Sequence, residues 1–518
     1  MTINEKLIDQ NEIIIEKNLL FVLNNEEKIA SVVGNESAEG DIIIPRSIKY
    51  KKQEYLITCI MKDAFESSDI INSIRFPNDS EIRIIERAAF ANSSIKSLTI
   101  PSSITELKEG WLLGTHDLEQ IQIVENKKSK NICFEGNFIV GKSDQKSDIF
   151  DVLIFARRDI KLALIPSKIK KIASYAFAYS KIESITISHH INEISEGTFF
   201  FCHKLRNIQI PRKSKLKTIS KAAFSSHNIE SITIPSSIEK FGDGWCNQTV
   251  GLKSIKIKKN SQQNISYFEK KFIIRKTDIK SDTFDSIIFA CRDIRFCSIP
   301  SFIKRIDSCA FAYSKIEYIT ISPHLTEICD NAFSLCRNLR GIKIPDNSEL
   351  HKIGKSAFCW TSIESFTISH HITEICEKTF YFCKNLREVK FPKNSNLKII
   401  GRDAFSWSSI ESIKIPLHVT HICDCAFLGC NKLKNVEIPY YSELSFIGKL
   451  AFSETLINNM VIPPDVNHIG ENAFSECKDL QIIEINENYE LECNGKNIFE
   501  NCKKAILMIS KNPKIIIS

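Results

Sequence analysis

A phenylalanine, usually preceded by alanine or threonine, returns along this chain at steps that alternate between 22 and 25 residues: Phe311, Phe333, Phe358, Phe380, Phe405, Phe427, Phe452, Phe474 and Phe499. A fixed period of this length marks a solenoid, in which each coil can bury its apolar face only against its neighbours. The beat is present upstream at Phe65, Phe90, Trp111, Phe177, Phe199, Phe224 and Trp245, where two gaps of 66 residues interrupt it. Because 66 is three times 22, the gaps near 112–176 and 246–310 are read as degenerate coils, with Phe134, Phe155, Phe268 and Phe289 close to the missing beats. A longer duplication overlies the coil period, since Trp111, Phe134, Phe155 and Phe177 are followed 134 residues later by Trp245, Phe268, Phe289 and Phe311.

Each coil carries a short stretch of alternating character that reads as a strand. In Ile-Glu-Ser-Ile-Thr-Ile-Pro at 229–235, period two turns Ile232 and Ile234 inward and Ser231 and Thr233 outward. Pro235 has no N–H to give a ladder, so the strand ends there. A second apolar pair, such as Ile353 with Phe358 or Ile422 with Phe427, follows the turn, and the small residue before the ring lets the backbone fold tightly beneath it. Trp111 and Trp245 follow Gly110 and Gly244 and are read as core residues in the place of the repeat phenylalanine. Trp360 and Trp407, two places after their phenylalanines, are read as packing residues, with a partner anchor as the alternative. Residues 1–64 read as an N-terminal cap of short strands, 65–498 as the tandem repeats and 499–518 as a C-terminal cap.

Of the 18 cysteines, Cys202, Cys336, Cys383, Cys430, Cys477 and Cys502 stand three places after a phenylalanine and are read as marks of the longer coil type. Equivalent places in an alternating array lie two coils apart, and parallel strands stack about 4.8 Å apart. Twice that exceeds the ~4.4–6.8 Å between Cα atoms that a disulfide needs. These residues are therefore read as free, buried thiols that pack as small hydrophobes. The chain has no C-x-x-C, and Cys423 with Cys425 is a lone C-x-C, so metal binding is not expected.

The balance of 69 basic and 62 acidic residues, +7 overall, is too mild for a nucleic-acid track. Lys127-Lys128-Ser129-Lys130 and Lys256 to Lys259 read as solvated loop or strand-end clusters. No apolar run approaches the ~18 residues of a membrane helix, and the N-terminus does not have the form of a conventional signal peptide. Five N-x-S/T triplets, at Asn35, Asn78, Asn92, Asn247 and Asn264, do not decide the compartment in a chain rich in these residues, while unpaired cysteines point to a reduced interior.

No glycine-rich phosphate loop, H-E-x-x-H or G-x-S-x-G is present, so neither catalytic residues nor a cofactor is expected. The pairs His189-His190 and His370-His371 stand just after a strand, where sister coils carry residues such as Ser236-Ser237, and are read as turn surface. Arg158-Asp159 and Arg292-Asp293, in the duplicated strings FARRDI and FACRDI, are read as local ionic pairs.

The segments AFSECKDLQIIEI, TFYFCKNLREVKFP and IESITIPSSI resemble the repeat of the BspA-like leucine-rich-repeat family, and the likeness spans nearly the whole chain. Isoleucine stands at most places of the usual leucine, and Cys, Ser or Thr near that of the usual asparagine. The resemblance implies a curved right-handed β-rich superhelix with a parallel sheet on one face and short helical or 3-10 segments. It also implies a binding role, because the family includes surface antigens that adhere to host matrix proteins or to other cells.

A ligand is expected on the outward strand positions that line up across coils: Thr186, Gln209, Thr233, Lys256, Thr320, Lys343, Thr367, Lys390, Lys414 and Glu437. Threonine suits an exposed strand without any ligand. The interleaved lysines favour an acidic partner, whether a protein patch or an acidic glycan. Two readings follow: an adhesin-like protein at the cell surface, in line with the resemblance, or a cytoplasmic scaffold for protein–protein interaction, in line with the N-terminus and the thiols.

Overall fold

The computed structural model describes residues 12–101, 103–124, 131–144, 146–211, 213–226, 228–257, 265–278, 280–485, 497–502, 506–509 and 512–516. Lys127 to Lys130, Lys258, Lys259, Asn264 and, within 499–518, residues 503–505, 510, 511, 517 and 518 lie outside these residues. The chain forms two compact units, Met1–Asn260 and Ser261–Ser518.

In both units the coils stack as a β-solenoid, and a typical coil gives one strand to each of two parallel ladders. In the first unit Lys171–Ile172, Glu193–Ile194, Thr218–Ile219 and Lys240–Phe241 form one ladder, while Leu162–Leu164, Ser184–Thr186 and Asn207–Gln209 form the other. In the second unit Glu374–Ile375, Ile399–Ile400, His421–Ile422, Phe446–Ile447 and His468–Ile469 continue in the same way. Strand alternation places the apolar set inside: Ile232 and Ile234 are buried, Ser231 is exposed and Thr233 is half-buried. The strand ends at Ile234, immediately before Pro235.

The third side of each coil is a turn around the repeat ring. Asn331, Phe333 and Leu335 donate their backbone N–H groups to the carbonyls of Lys355, Ala357 and Cys359 in the next coil, each at 2.8 Å. The rings stack over one another, with Phe333–Phe358, Phe358–Phe380, Phe380–Phe405 and Phe405–Phe427 centroids 5.3, 5.6, 5.4 and 5.3 Å apart. All five rings are fully buried. Burying one phenylalanine stabilises a fold by about 1.5–3 kcal/mol, so this column and the inward isoleucines supply the core.

No α- or 3-10 helix occurs among the described residues, so the short helical segments expected at the turns are absent. The cause is local. Residues two places before and after the ring adopt φ near +60°, as at Asn331 (55°) and Leu335 (60°), which breaks the run of right-handed residues that a helix needs. Their N–H groups point to the next coil instead of back along the chain.

The interrupted segments differ from the coils. Ile132–Glu135, Phe138–Gly141 and Val152–Ala156 pair antiparallel, and Val152–Ala156 then rejoins Lys171–Ile172 in parallel. The duplicate repeats this with Ile265–Phe268, Phe272–Arg275, Ser286–Ala290 and Arg305–Ile306. A turn with two consecutive positive φ values, Glu269 at 49° and Lys270 at 54°, reverses the chain in the second copy. Within the segments read as degenerate coils, the strands between Ile132 and Ala156 and between Ile265 and Ala290 therefore run as meanders, while Leu162–Leu164 and Phe296–Ser298 pair in parallel as coil strands do. Near the N-terminus Ile13–Glu16, Leu19–Asn24 and Ile29–Asn35 also pair antiparallel before Gln53–Ile60 joins in parallel.

Trp111 and Trp245 are buried, but one place off the expected position. Phe65 and Phe177 donate to the carbonyls of Ala89 and Thr198, the residues before the next ring, and by the same rule Phe90 and Phe224 donate to Trp111 and Trp245. Leu112 and Cys246 thus stand in the ring's backbone place. Each tryptophan reaches in from the alanine place and fills the volume that a small residue and a phenylalanine share elsewhere. The spacing carried the signal: Phe90 to Leu112 and Phe224 to Cys246 are both 22 residues, whereas the tryptophans lie at 21.

Candidate functional site

The ten outward positions lie on strands, and strand pairing sets them side by side. Register matches Thr186 with Gln209 and Thr233 with Lys256 in the first unit. In the second it matches Thr320 with Lys343, Thr367 with Lys390, and Lys414 with Glu437. Thr186, Thr233 and Thr320 are half-buried and the other seven are exposed. The ladder that carries them breaks into short sheets, so the positions form paired sets within each unit instead of one uninterrupted row.

Their electrostatics are partly self-contained. Lys414 Nζ donates to Glu437 Oε1 at 2.6 Å, Lys390 Nζ lies 3.2 Å from Glu388, and Thr186 Oγ1 donates to Gln209 Oε1 at 3.2 Å. Lys256 and Lys343 make no ion pair among the described residues. Since Lys414 and Glu437 are about two-thirds exposed, their pair contributes little to stability. It does reduce the positive charge on which the expectation of an acidic partner rests.

The thiols form an internal ladder. Cys336, Cys383 and Cys430 are fully buried, and each donates Sγ–H to the carbonyl of the ring residue one coil back, Phe311, Phe358 and Phe405, at 3.0, 3.1 and 3.1 Å. Each also meets a hydroxyl of that coil, Ser314, Thr361 or Ser408, at 3.3 Å. Burial pushes the Cys202, Cys336, Cys383 and Cys430 thiols up to about 11, which keeps them protonated and poorly nucleophilic. Cys202, Cys336, Cys383 and Cys430 are free thiols. Cys477 and Cys502 depart from the two-coil spacing, because Phe474 donates to Ile498, which places them on consecutive coils.

The arginines of the duplicated strings act differently from the ionic pairs expected. Arg157, not Arg158, binds Asp159, through Nε at 3.1 Å. Arg158 is buried, lies 4.4 Å over the Phe155 ring and donates Nη2 to Leu112 O at 3.1 Å. It bridges the wider gap that the meander opens, with a donor longer than a thiol. Desolvation lowers its pKa to about 10, so it remains a cation at neutral pH. Arg292 likewise lies 4.5 Å over Phe289 and donates to Ala310 O at 2.9 Å.

His189 and His190 are exposed in the turn after a strand, with ring centroids 3.8 Å apart. Among the described residues no group of three or more His, Cys, Asp or Glu could hold a metal ion. No helix among them is long and apolar enough to cross a membrane. An open depression of about 400 Å³ is lined by Glu86, Arg87, Glu106, Leu107, Lys108 and Glu109, and its Lys108–Glu106 pair closes at 2.6 Å. None of these features, among the described residues, converges on a nucleophile and base.

A comparison with curated proteins finds no match. Among solved structures, the chain is similar to a leucine-rich cell surface protein of Faecalibacterium prausnitzii, at 19% identity over 95% of this chain and 98% of that one, with a TM-score of 0.38. It is also similar to a leucine-rich-repeat protein of Bacteroides ovatus, at 20% identity over 96% and 99%, with a TM-score of 0.35. A third is the pneumococcal vaccine antigen PcpA, at 16% identity over 97% and 99%, with a TM-score of 0.40. The model of the BspA type leucine-rich-repeat region matches residues 45–141, 151–271, 277–398 and 398–518. With the repeat frame matched over most of its length, the chain belongs to the BspA-type leucine-rich-repeat family.

Proposed function

We propose that this chain is a non-catalytic, protein-binding repeat protein of the surface-antigen or adhesin kind, contacting matrix proteins or other cells through the outward positions of its parallel strands. The observation that carries this reading is the strand register, which sets Thr320 beside Lys343, Thr367 beside Lys390 and Lys414 beside Glu437 on a repeated exposed surface. A repeated face collects many weak contacts, and binding two or more sites on one partner multiplies their effect. Acidic glycans would meet the same lysines. A second reading, a scaffold in a reducing compartment, is favoured by the free, buried thiols of Cys202, Cys336, Cys383 and Cys430.

The test is binding of the full chain to a panel of immobilised extracellular-matrix proteins, before and after Lys343→Glu, Lys390→Glu and Lys414→Glu are combined. Binding that falls at least tenfold with unchanged circular dichroism supports the outward face. Binding that survives the triple change, or is lost together with β structure, removes it.

A further inference from the structure

The position two residues after the ring combines an unusual backbone with an unusual set of side chains. Its φ is 61° at Tyr313, 60° at Leu335, 59° at Trp360, 59° at Phe382 and 60° at Trp407, a region that glycine and asparagine enter most readily. Other coils use those residues at the same place: Asn92, Gly114, Gly429 and Asn501. Five successive coils of the second unit instead present large apolar side chains there. Trp360 and Trp407 are 38% and 37% exposed, against 4% and 2% for Trp111 and Trp245, so core packing does not explain them.

The side chains form a ridge. Trp360 stacks on Phe382 with centroids 4.0 Å apart, Phe382 and Trp407 follow at 6.1 Å, and Trp407 lies over Gly429, where an added Cβ would come within 2.7 Å of the indole. Trp360 and Phe382 thus spend a face on each other, and Trp407 spends one on Gly429. Beside the ridge, four places after the ring, stand the exposed Lys315, Arg337 and Lys384, none in an ion pair among the described residues. The Lys384 ammonium lies 4.7 Å from the Phe382 ring centre. Segments 312–316, 334–339, 359–363, 381–386 and 406–410 contain no Asp or Glu. On the other flank the carboxylates are already occupied, Glu377 by Lys355 and Lys378, and Asp403 by Lys378 and Arg402. The first unit repeats the combination: Tyr179 and Phe201 stack at 5.2 Å, next to exposed Lys181 and Lys204.

We propose that the ridge Tyr313–Leu335–Trp360–Phe382–Trp407 is a second interaction surface, separate from the outward strand positions, that docks an extended acidic segment of another protein. Apolar side chains of that segment pack against the ring edges, and its carboxylates meet Lys315, Arg337 and Lys384. Exposed tryptophan and arginine are the residues that most often dominate protein interfaces. Single-stranded nucleic acid also favours aromatic residues among basic ones, but it binds by stacking bases on open ring faces. Here Trp360 and Phe382 already stack on each other and Trp407 lies over Gly429, which favours a polypeptide.

The probe is a short synthetic peptide alternating Glu and Leu, added to the full chain while acrylamide quenching of tryptophan emission is followed. Only the two half-exposed tryptophans are open to quenching, so the peptide should protect them, and a Lys–Leu peptide should not. Arg337→Glu with Lys384→Glu, both exposed, should weaken the peptide about tenfold or more. Trp360→Asn with Trp407→Asn, which removes the quenching signal and is read instead by fluorescence anisotropy of a labelled Glu–Leu peptide, should abolish binding with an unchanged melting temperature, because asparagine suits the turn. The proposal is overturned if the Glu–Leu peptide gives no protection, if the Lys–Leu peptide protects equally, or if an oligothymidylate or a heparin fragment protects where the peptide does not. Should the tryptophan double variant melt early, the charge-reversal pair decides alone, and unchanged affinity there rejects the surface.

Discussion

The two copies of the 134-residue duplication share a fold and differ in what they place on a few strands. In the first, Gly141, Val152 and Ala173 stand on three adjoining strands or turns. In the second, the same places hold Arg275, Ser286 and Asp307, and all three converge: Arg275 Nη2 lies 2.6 Å from Asp307, and Ser286 Oγ donates to the same carboxylate at 2.9 Å. Arg305 adds a third contact at 2.7 Å and also reaches Glu327, which Lys352 joins. The outward residues differ too. Leu162, Ser184 and Asn207 of the first copy correspond to Phe296, Tyr318 and Gly341, where Phe296 and Tyr318 stack at 6.1 Å and a Cβ on Gly341 would come 3.0 Å from the tyrosine ring. Apolar core places, by contrast, match: Phe177 with Phe311, Cys202 with Cys336 and Ile172 with Ile306 are all fully buried. A solenoid coil constrains the apolar residues it stacks on its neighbours, and leaves the places around them, exposed or buried, open to change in groups that touch.

The strongest test of that equivalence is in the core. Phe177→Ala and Phe311→Ala should each cost their own unit about 3–5 kcal/mol in urea unfolding, from lost burial plus a cavity. A gap of more than about 1 kcal/mol between them would show that the copies are not packed alike. Next comes the network present in the second copy. Asp307→Ala should cost about 2–4 kcal/mol, because it leaves two arginines facing each other without the carboxylate. Combined with Arg275→Gly, the first copy's residue, it should cost less than the two single changes added together, and simple additivity would dissolve the network.

The thiol ladder should behave alike in both copies. Cys202→Ala and Cys336→Ala should each cost about 1 kcal/mol for a lost hydrogen bond, with Ser restoring part of it. With pKa values near 11, both should resist alkylation at pH 8 until the chain is unfolded, and rapid labelling of the native protein would contradict their burial.

Acid should separate the meanders more gently. Burial alone would raise the Asp151 pKa, but the N–H and O–H of Ser143 and the Lys170 ammonium outweigh it and hold the carboxyl below its ordinary range. The folded pKa is the lower one, so this stabilisation is complete above the unfolded value of about 4 and is lost as pH falls through the folded value. Asp151→Asn should flatten the first unit's unfolding midpoint below about pH 4, and an unaltered acid profile would remove Asp151 as a contributor. The smallest expected effect is on the outward triplet. Phe296→Leu, Tyr318→Ser and Gly341→Asn together should shift stability by no more than about 0.5 kcal/mol, as surface changes do.

Much of the coil was legible because stacking demands a periodic residue. Phe311 to Phe474, the inward Ile232 and Ile234 and the free buried Cys336 and Cys383 all follow from period and spacing alone. The meanders were not. Their second copy turns at Glu269-Lys270, whose positive φ values belong to residues that give no turn signal, while the Gly136 of the first copy marked only one place. The candidate face was readable as a set of outward places, but not as ion-paired neighbours, since Lys414 with Glu437 and Lys390 with Glu388 depend on side-chain reach. The ridge was half readable: Trp360 and Trp407 stood out, but Phe382 between them did not.

By itself the sequence determined the solenoid, the coil length, the family and the thiol state, because each depends on a residue type recurring at a fixed step. Only the tertiary structure decided that Leu112 and Cys246, not the tryptophans, hold the ring's backbone place, and that Arg158 is buried while Arg157 binds Asp159. It alone brought Arg275, Ser286 and Arg305 onto the Asp307 carboxylate and set Trp360, Phe382 and Trp407 in one ridge. Those outcomes turn on contacts between coils, where residues 20 to 50 positions apart compete for the same space, and no local pattern records which side chain fills it.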